Sequence, residues 1–349
     1  MNIIVTAVQV PFSRGGAEVL VDGLVKALKA AGHNTELVQL PFFADPKEDL
    51  LKSVALWRSL DLRSFGGKEV DLVIPTKFPS YVVKHPRKSL WLIHQHRQMY
   101  DLYQTRFGDF CSEARDEALR QMLMEADTRA LEECKNRYTI STNVSKRLKR
   151  YLNIESAPLL PPLPLAGRYQ NAPEEGYILS VGRLCSIKRV DLMIKSLSRV
   201  QDKLRLKIVG TPDEPGIEQH FQDLLDLYNM QSRVDFLGRV SDQELLELYA
   251  RSYAVYYAPY DEDYGYVTLE TLASGKPVIT ALDSGGVLEF VRHEENGLVC
   301  DPTEEGISRG INRLVSDASL YTKLCEGAKT SGQAFNSTWQ HIIEKLLSY

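Results

Sequence analysis

The sequence predicts an α/β protein with two domains, each built around a parallel sheet, and three observations support this. Short apolar segments of strand length alternate with longer segments whose apolar residues recur at helical spacing. The chain has 349 residues, enough for two separate cores. A stiff run of prolines interrupts the alternation near the middle of the chain, and it consists of Pro158, Pro161, Pro162 and Pro164.

The first half of the chain alternates between five predicted strands and the helices that connect them. The strands are predicted at residues 3–7, 35–40, 70–75, 89–94 and 138–141. Helices are predicted at residues 17–31, over 98–135 and at 145–151, with a short helix or turn at 78–85. The helix at 17–31 has an apolar face formed by Val21, Leu24 and Leu28, and Gly32 ends it.

The loop at residues 8–16, which leads into this helix, contains Pro11, Ser13, Gly15 and Gly16. A glycine-rich turn that opens a helix brings backbone N–H groups close to a phosphate. The turn lacks the complete Gly-x-Gly-x-x-Gly pattern, so dinucleotide binding is not indicated. Phosphate binding and a turn needed only for its backbone geometry both remain open.

The fourth predicted strand ends in His94-Gln95-His96-Arg97. Two histidines at this spacing suggest a metal site, but no acidic or cysteine partner lies nearby at ligand spacing. A polar contact from His94 to a bound sugar is therefore favoured over metal binding. For His96 and Arg97 two roles stay open, which are capping of the following helix and contact with an acceptor.

The helix at residues 145–151 carries a basic cluster of Lys146, Arg147, Lys149 and Arg150. Residues 1–165 hold 23 Lys and Arg against 19 Asp and Glu, whereas residues 166–349 hold 19 against 27. A basic face in the more basic half suits an anionic acceptor or a membrane surface. A solvated helix face remains the default interpretation.

The second half of the chain repeats the alternation. Strands are predicted at residues 177–182, 205–210, 234–237, 255–258 and 278–281, and helices at 191–200, 218–229, 242–251 and 266–274. Arg183 follows the first of these strands and Lys188 lies five residues further on. Two cations at a strand end, near a helix start, are suited to neutralise a diphosphate without a metal. The alternative is a pair of solvated surface side chains, and for Arg189 that alternative is retained.

Residues 257–286 compress a strand end, an acidic loop, a short helix ended by Gly275 and a return strand into thirty residues. Glu262 lies in the loop, and Glu270 lies in the helix, roughly 6 Å along its axis from Tyr266. This spacing lets one carboxylate face a transferred sugar and the other a ribose, with a diphosphate at the helix start. An acidic surface loop before an ordinary helix is the alternative, since two glutamates at this spacing are weak evidence alone.

Composition excludes several other classes of protein. The net charge of -4 argues against a dedicated nucleic-acid binder. The five cysteines are widely spaced and form no Cys-x-x-Cys pair, which favours a reducing compartment over disulfides or a zinc site. No signal peptide is visible, and no segment approaches the roughly 18 apolar residues of a membrane span. These features predict a cytoplasmic protein.

Several segments together resemble glycosyltransferase family 4, the retaining, nucleotide-sugar-dependent enzymes with the GT-B fold. They are residues 15–18 (GGAE), His94, 180–188 (SVGRLCSIK), 236–241 (FLGRVS), 262–270, 275–278 (GKPV), 283–286 (DSGG), Glu289 and 296–299 (NGLV). Each motif is weak alone, but jointly they are specific and cover nearly the whole chain.

The resemblance implies a fold and a set of domains. The fold is α/β of the GT-B type, with two Rossmann-like domains whose parallel sheets face a central cleft. Residues 1–163 would form the acceptor-side domain and residues 164–333 the domain that holds the nucleotide-sugar donor. Residues 334–349 would form a C-terminal helix that packs back on the first domain.

The resemblance also assigns roles to the candidate residues. Arg183 and Lys188 would bind the diphosphate, Glu270 the ribose, and Glu262 a hydroxyl of the donor sugar, with His94 beside that sugar. Glu262, His94, Arg183 and Lys188 form the predicted catalytic set. The remaining donor contacts would come from Gly15, Gly16, Arg239, Val240, Gly265, Tyr266 and Val267.

Two features depart from the family pattern or imitate another one. Tyr264 occupies a position before Gly265 where the family commonly has phenylalanine, a change that adds a hydroxyl and is expected to leave activity intact. Asp261-Glu262-Asp263 imitates the metal-binding Asp-x-Asp of a different glycosyltransferase fold. Because Arg183 and Lys188 supply the counter-charge, no essential metal or other cofactor is expected.

The expected function is retaining transfer of a sugar from a UDP- or GDP-sugar to a hydroxyl acceptor. The expected acceptor is a glycan or lipid-linked precursor of a cell-surface polysaccharide, which leaves peripheral contact with the inner face of a membrane open. Two alternatives are a sugar-nucleotide epimerase of the same fold and a non-catalytic nucleotide-sugar binding protein.

Overall fold

The computed structural model describes residues 1–10, 15–201 and 203–348, and it divides into two compact units. Unit 1 comprises Met1–Pro162 and Ser337–Tyr349, and unit 2 comprises Leu163–Asn336. Relative to the predicted boundaries, unit 2 begins one residue earlier and ends three residues later.

Unit 1 has eight strands and four helices before the chain enters unit 2, within the part that the structure describes. Its strands are β1 (Asn2–Gln9), β2 (Asn34–Pro41), β3 (Ser64–Phe65), β4 (Lys68–Glu69), β5 (Leu72–Pro75), β6 (Ser89–Leu92), β7 (Asn136–Thr139) and β8 (Ala157–Pro158). Its helices are α1 (Gly16–Ala30), α2 (Asp49–Ser59), α3 (Ala114–Glu132) and α4 (Thr142–Leu152).

Parallel strands form the centre of unit 1. Three strands pair in the order β2-β1-β5, and three more pair in the order β6-β7-β8. A parallel bridge between Val73 of β5 and Lys88 joins the two groups. β5 and β6 are buried along their whole length, which explains why both are continuously apolar or uncharged.

The sequence prediction for residues 98–135 was too long. Only Ala114–Glu132 is helical, and a 3₁₀ turn at Arg97–Met99 precedes an irregular segment. Gln104 has a φ of 57°, which a right-handed helix excludes, and Gly108 lies so close to the Leu102 carbonyl that no Cβ fits. The irregular segment therefore folds back on itself despite its helix-forming composition. Helix α2 was not predicted.

Unit 2 contains one six-stranded sheet and six helices within its described residues. The strands are β9 (Tyr177–Val181), β10 (Arg205–Val209), β11 (Val234–Gly238), β12 (Ala254–Tyr256), β13 (Val278–Ala281) and β14 (Gly297–Cys300). The helices are α5 (Val190–Ser198), α6 (Ile217–Tyr228), α7 (Asp242–Arg251), α8 (Tyr266–Ala273), α9 (Glu304–Ser316) and α10 (Ala318–Ala334).

The strands of unit 2 are all parallel and follow the order β11-β10-β9-β12-β13-β14. This is the doubly wound arrangement of a Rossmann-like domain. Two hydrophobic clusters lie among its buried side chains, one including Ile208 and Phe221 and the other Leu179 and Val278. The predicted α/β class with parallel sheets is therefore confirmed.

The C-terminal helix α11 (Trp339–Leu347) belongs to unit 1, where it contacts α1 and β6. The Trp339 ring meets the Trp91 ring edge-on at 6.0 Å between centroids. It also occupies the space that a Cβ on Gly23 would need. The chain thus returns to the first unit for its last helix.

No helix among the described residues is both long enough and apolar enough to cross a membrane.

Candidate active site

The strand order of unit 2 defines where its sheet can bind a ligand. β9 and β12 lie side by side at the centre, and the chain runs outward from them in opposite directions. The carboxyl ends of such a strand pair form the crevice in which open parallel sheets bind ligands. β9 leads into the loop with Arg183 and Lys188, and β12 leads into the loop with Glu262. These predicted site residues therefore share one sheet edge.

Backbone hydrogen bonds fix the acidic loop after β12. The Asp261 N–H donates to the Asp283 carbonyl at 2.8 Å, and the Gly286 N–H donates to the Glu262 carbonyl at 2.7 Å. A Cβ on Gly286 would lie 2.6 Å from the Asp263 carbonyl oxygen, so this approach requires glycine. The 283–286 segment thereby sets the position of the Glu262 backbone.

Gly265 turns the acidic loop into α8. Its φ is 84°, in the left-handed region that glycine adopts without strain. A Cβ here would lie 2.9 Å from Cε1 of Tyr257 and 3.3 Å from Cγ2 of Val287. The first N–H groups of α8, including those of Tyr266 and Val267, have no carbonyl partner within the helix, and such groups bind anions.

Lys188, Glu262 and Tyr257 form a hydrogen-bonded cluster at the centre of the edge. Lys188 Nζ pairs with Glu262 Oε2, and the two side chains are only 16% and 15% exposed. The Tyr257 hydroxyl donates to the same carboxylate oxygen at 3.0 Å, and Lys188 Nζ donates to that hydroxyl at 3.3 Å. Burial, and then the Glu262 charge, raise the pKa of Tyr257 well above its usual range, so the phenol remains a proton donor.

Arg183 lies at the exposed side of the same edge. Its side chain is 46% exposed and pairs with Asp213, in the loop that follows β10. Glu214 in that loop accepts a hydrogen bond from the Ser186 N–H at 2.9 Å. Two acidic residues after β10 thus position the segment that carries Arg183 and Lys188.

The interpretation of Arg189 as a solvated surface residue was wrong. Its side chain is 2% exposed, and it donates to the Ala258 carbonyl at 2.6 Å and the Pro259 carbonyl at 2.9 Å. It also pairs with Asp283 at 2.7 Å. Arg189 therefore ties the loop after β9 to the two loops that hold Glu262.

Glu270, on α8, accepts a hydrogen bond from the buried Tyr249 hydroxyl at 2.6 Å. Burial raises the pKa of Glu270, although hydrogen bonds from Tyr249 and Tyr169 act in the opposite direction. Arg239 and Val240 follow β11, two strands away from β9, and Arg239 is exposed. They lie at the same sheet edge as the cluster, further out.

Unit 1 carries the predicted glycine turn, of which residues 11–14 lie outside the described part. Gly15 precedes α1 and Gly16 begins it. The Gly15 N–H donates to Glu18 Oε2 at 2.8 Å, and Lys77 Nζ pairs with Glu18 Oε1 at 2.9 Å. Burial alone would raise the pKa of Glu18. The charge of Lys77 and the hydrogen bonds from Lys77 and the Gly15 N–H have a larger combined effect, so the pKa of Glu18 is lowered. The Glu18 carboxylate thus locks the turn to the end of β5.

His94 and His96 occupy different environments after β6. His94 Nδ1 lies 2.7 Å from the Gln95 carbonyl oxygen. The His96 ring packs against Phe78 at 5.4 Å, Phe42 at 5.8 Å and Phe110 at 6.4 Å. Burial, with a smaller contribution from His94, lowers the pKa of His96 to about 3. His96 makes no side-chain cap to the following turn.

The basic cluster on α4 is not one surface. Arg147 is 3% exposed at its side chain and pairs with Asp101 at 3.0 Å. Arg97, a candidate acceptor contact, also pairs with Asp101 at 2.6 Å. Lys149 pairs with Glu155 at 2.6 Å, while Lys146 and Arg150 are exposed. Arg147 and Arg97 thus belong to a buried ion-pair network within unit 1.

Sequence reasoning assigned no role to five residues that hold the site together, although two of them lie in segments that it singled out, 257–286 and 283–286. The five are Tyr249, Tyr257, Asp213, Glu214 and Asp283. A tyrosine at the end of a buried apolar strand was a usable signal, because a buried phenol needs a hydrogen-bond partner. The acidic residues carried no such signal, since their partners lie far away in sequence.

No group of three or more His, Cys, Asp or Glu residues in the described parts of the chain is arranged to hold a metal ion.

Residues 167–331, nearly all of unit 2, match the family described as "Glycosyl transferases group 1". Among curated relatives, the D-inositol 3-phosphate glycosyltransferase of Salinispora tropica is 30% identical over 194 residues. That alignment covers 52% of this chain and 40% of the relative, so the chain spans less than half of that relative's length. The resemblance noted in the sequence is thus confirmed, and these two matches extend over about half of the chain.

Solved structures resemble the whole chain. Sucrose-phosphate synthase from Thermosynechococcus elongatus superposes with a TM-score of 0.80 at 19% identity, covering 99% of this chain and 97% of that structure. HepE of Anabaena, solved in complex with UDP and glucose, superposes with a TM-score of 0.74 at 18% identity and full coverage of both chains. At such identities the similarity establishes the fold alone, which is the predicted GT-B class.

Proposed function

Because residues 167–331 match the group 1 glycosyl transferases, we propose that the protein is a retaining glycosyltransferase that uses a nucleotide diphosphate sugar. The donor is a UDP- or GDP-sugar, and the acceptor is a hydroxyl group. The observation that carries this proposal is the Lys188–Glu262–Tyr257 cluster at the β9–β12 edge, directly before the N-terminus of α8.

The geometry supports a division of roles between the charged groups. A diphosphate at this edge would meet Lys188, Arg183 and the first N–H groups of α8, which are positive partners for the charge that grows on the leaving group. Glu262 would accept a hydrogen bond from a hydroxyl of the donor sugar. Glu270 would accept one from the ribose, and Arg239 and Val240 would border the base.

The reaction then follows from these placements. The bond between the anomeric carbon and the diphosphate oxygen breaks, which leaves positive charge on the sugar and negative charge on the diphosphate. The acceptor oxygen forms its bond to the anomeric carbon on the same face, and its proton passes to the departing phosphate oxygen. Arg183 and Lys188 stabilise the leaving diphosphate most strongly in the transition state. Neither glutamate needs to form a covalent intermediate in this scheme.

Unit 1 would contribute the acceptor side. We assign Gly15, Gly16 and His94 to contacts with the phosphates and the sugar, on the basis of the family resemblance. A glycan or lipid-linked polysaccharide precursor is the proposed acceptor class, supported by the exposed cations Lys146 and Arg150 on α4. Peripheral contact with an anionic membrane is part of this proposal, and cosedimentation with vesicles containing an anionic phospholipid tests it.

A donor panel tests the proposed function. The wild-type protein is incubated with UDP-glucose, GDP-mannose and ADP-glucose, and binding and release of nucleoside diphosphate are measured. We expect one donor to bind and to be hydrolysed slowly, with Arg183→Ala and Glu262→Ala losing that hydrolysis. Absence of both binding and hydrolysis across the panel would refute the proposal. A change in sugar stereochemistry without acceptor would indicate an epimerase, and binding without turnover in the presence of acceptors would indicate a binding protein.

A further inference from the structure

Two tyrosines in unit 2 donate hydrogen bonds to the two glutamates of the site. Tyr257 donates to Glu262 at 3.0 Å, and Tyr249 donates to Glu270 at 2.6 Å. Both tyrosines are buried, at 7% and 0% exposure, so each phenol is held by packing. The Tyr257 ring additionally fills the space beside Gly265 and lies 5.4 Å from the Lys188 ammonium.

Once a donor is bound, the Lys188 ammonium has two anionic groups within reach, the Glu262 carboxylate and the donor diphosphate. It pairs with Glu262 in this structure, and the proposed function requires it to meet the diphosphate as well. A diphosphate is a stronger anionic partner than one carboxylate, so it draws the ammonium away from Glu262. A flexible lysine side chain follows such a pull, because its four-carbon stem rotates freely.

The Tyr257 phenol does not face this competition. It is neutral, its ring is fixed by packing, and only two side-chain torsions position its hydroxyl. We therefore infer that Tyr257 is a positioning residue that holds the Glu262 carboxylate toward the donor sugar when Lys188 turns to the diphosphate. This inference rests on the proposed function and names a residue through which donor-sugar recognition acts.

The test is the single substitution Tyr257→Phe, which removes the hydroxyl and keeps the ring beside Lys188 and Gly265. Affinities for UDP-glucose and for UDP alone, and turnover of the donor selected from the panel, are measured for wild type and variant. If the panel selects GDP-mannose, GDP-mannose and GDP replace the two ligands. Tyr253→Phe is the matched control, because its hydroxyl donates to the Leu314 carbonyl at 2.9 Å, away from the site.

We expect Tyr257→Phe to lower turnover roughly tenfold, as loss of a hydrogen bond to a charged group does. Wild type should bind the nucleotide-sugar more tightly than the free nucleoside diphosphate, and Tyr257→Phe should remove most of that difference. The affinity of the variant for the free nucleoside diphosphate should stay within about twofold of the wild-type value. Tyr253→Phe should match wild type in all three quantities. Thermal unfolding of both variants separates these effects from a loss of folded protein.

A double-mutant cycle distinguishes positioning of Glu262 from a general structural effect. In a Glu262→Ala background, Tyr257→Phe should cause no further loss of sugar-dependent affinity, because its partner is gone. Turnover is compared only in the wild-type background, since Glu262→Ala is itself expected to lose it. An equal loss in both backgrounds, or an unchanged Tyr257→Phe, would overturn the inference and leave the proposed function standing. If the wild type binds a donor without turnover, the proposed function fails and the affinity difference alone decides the inference. If it binds neither ligand, both fail.

Discussion

Each unit contains a carboxyl group that accepts a hydrogen bond from a buried tyrosine, and the two pairs lie in different places. In unit 1, the Tyr100 hydroxyl donates to Asp127 of α3 at 2.6 Å, and Asp127 is fully buried. In unit 2, the Tyr249 hydroxyl donates to Glu270 of α8 at the same distance. Burial raises the pKa of both carboxyl groups, to about 7 for Asp127.

The two pairs have the same chemistry but different positions relative to their sheets, and we propose different roles for them on that basis. Asp127 lies in the interior beside Tyr81 and Tyr100, where its interactions bear on stability. Glu270 is only partly buried and lies on the helix that begins at the β9–β12 edge, beside the position proposed for the donor. The chemistry of the pair alone does not distinguish the two roles, so the proposal for Glu270 depends on the strand order of unit 2.

The largest expected effect on activity comes from a substitution at the β9–β12 edge of unit 2. Lys188→Ala removes the cation that the proposed function places beside the leaving group, and we expect kcat/KM for the selected donor to fall by about 100- to 1,000-fold. Steady-state kinetics with that donor provide the measurement. Arg205→Ala is the control, since Arg205 forms a half-exposed ion pair with Asp235 on the surface. A loss below tenfold for Lys188→Ala would remove Lys188 from the proposed machinery.

In unit 1 the buried carboxyl group of Asp127 should make the free energy of unfolding depend on pH. The folded pKa of Asp127, about 7, exceeds its ordinary value of 3.8. Between these values the folded protein keeps a proton that the unfolded chain releases. The free energy of unfolding of unit 1 should therefore fall as pH rises from about 4 to about 7, by at most about 1.4 kcal/mol per pH unit.

The substitution Asp127→Asn tests this assignment because it removes the titrating proton and keeps an oxygen for Tyr100. Urea unfolding at several pH values between 4 and 8 should give a flatter profile for the variant than for wild type. An identical pH profile in the two proteins would show that Asp127 does not titrate in this range.

Substitutions at the contact between α11 and α1 test whether packing of the last helix contributes to the stability of unit 1. Gly23→Ala places a methyl group where the Trp339 ring lies, and such overpacking typically costs about 1 to 3 kcal/mol. We expect faster amide hydrogen exchange in α11 and α1, with unit 2 unchanged. In a Trp339→Ala background the same substitution should cost nothing, because the clashing ring is absent. An equal cost in both backgrounds would contradict the packing described for Trp339.

The smallest expected effect is on nucleotide affinity, which should differ between substitutions in the two phenol–carboxylate pairs. Tyr249→Phe should weaken binding of UDP, or of GDP if the panel selects it, about three- to tenfold, because Glu270 loses one hydrogen bond that orients it. Tyr100→Phe makes the matching change beside Asp127 and should leave nucleotide affinity unchanged. Titration calorimetry of both variants provides the measurement. Equal affinities in both variants would break the distinction between a structural pair and a site pair.

Part of the site was predictable from the sequence because the backbone demands it locally. Gly265 must adopt a left-handed φ before α8. Arg183, Lys188 and Glu262 follow strands, so their common edge follows from parallel strand direction. Their roles in binding remain proposals that the kinetic experiments address.

The remaining parts were not predictable because they depend on partners distant in sequence. Arg189 is separated from Asp283 by 94 residues, and nothing local distinguishes its buried guanidinium from a surface one. Residues 98–113 have a helix-forming composition, yet tertiary contacts and a left-handed Gln104 override it.

By itself, the sequence determined the α/β class, most strands of both units and the loops that carry the candidate residues. These properties follow from apolar periodicity and from glycines whose backbone geometry is fixed within a few residues. That the C-terminal helix packs on unit 1 was already expected from the family resemblance. Only the tertiary structure decided that Arg147 and Arg189 are buried and that Tyr257 meets Glu262. Burial and hydrogen-bond partnership depend on which strands become neighbours, and strand order is set by the packing of the entire unit.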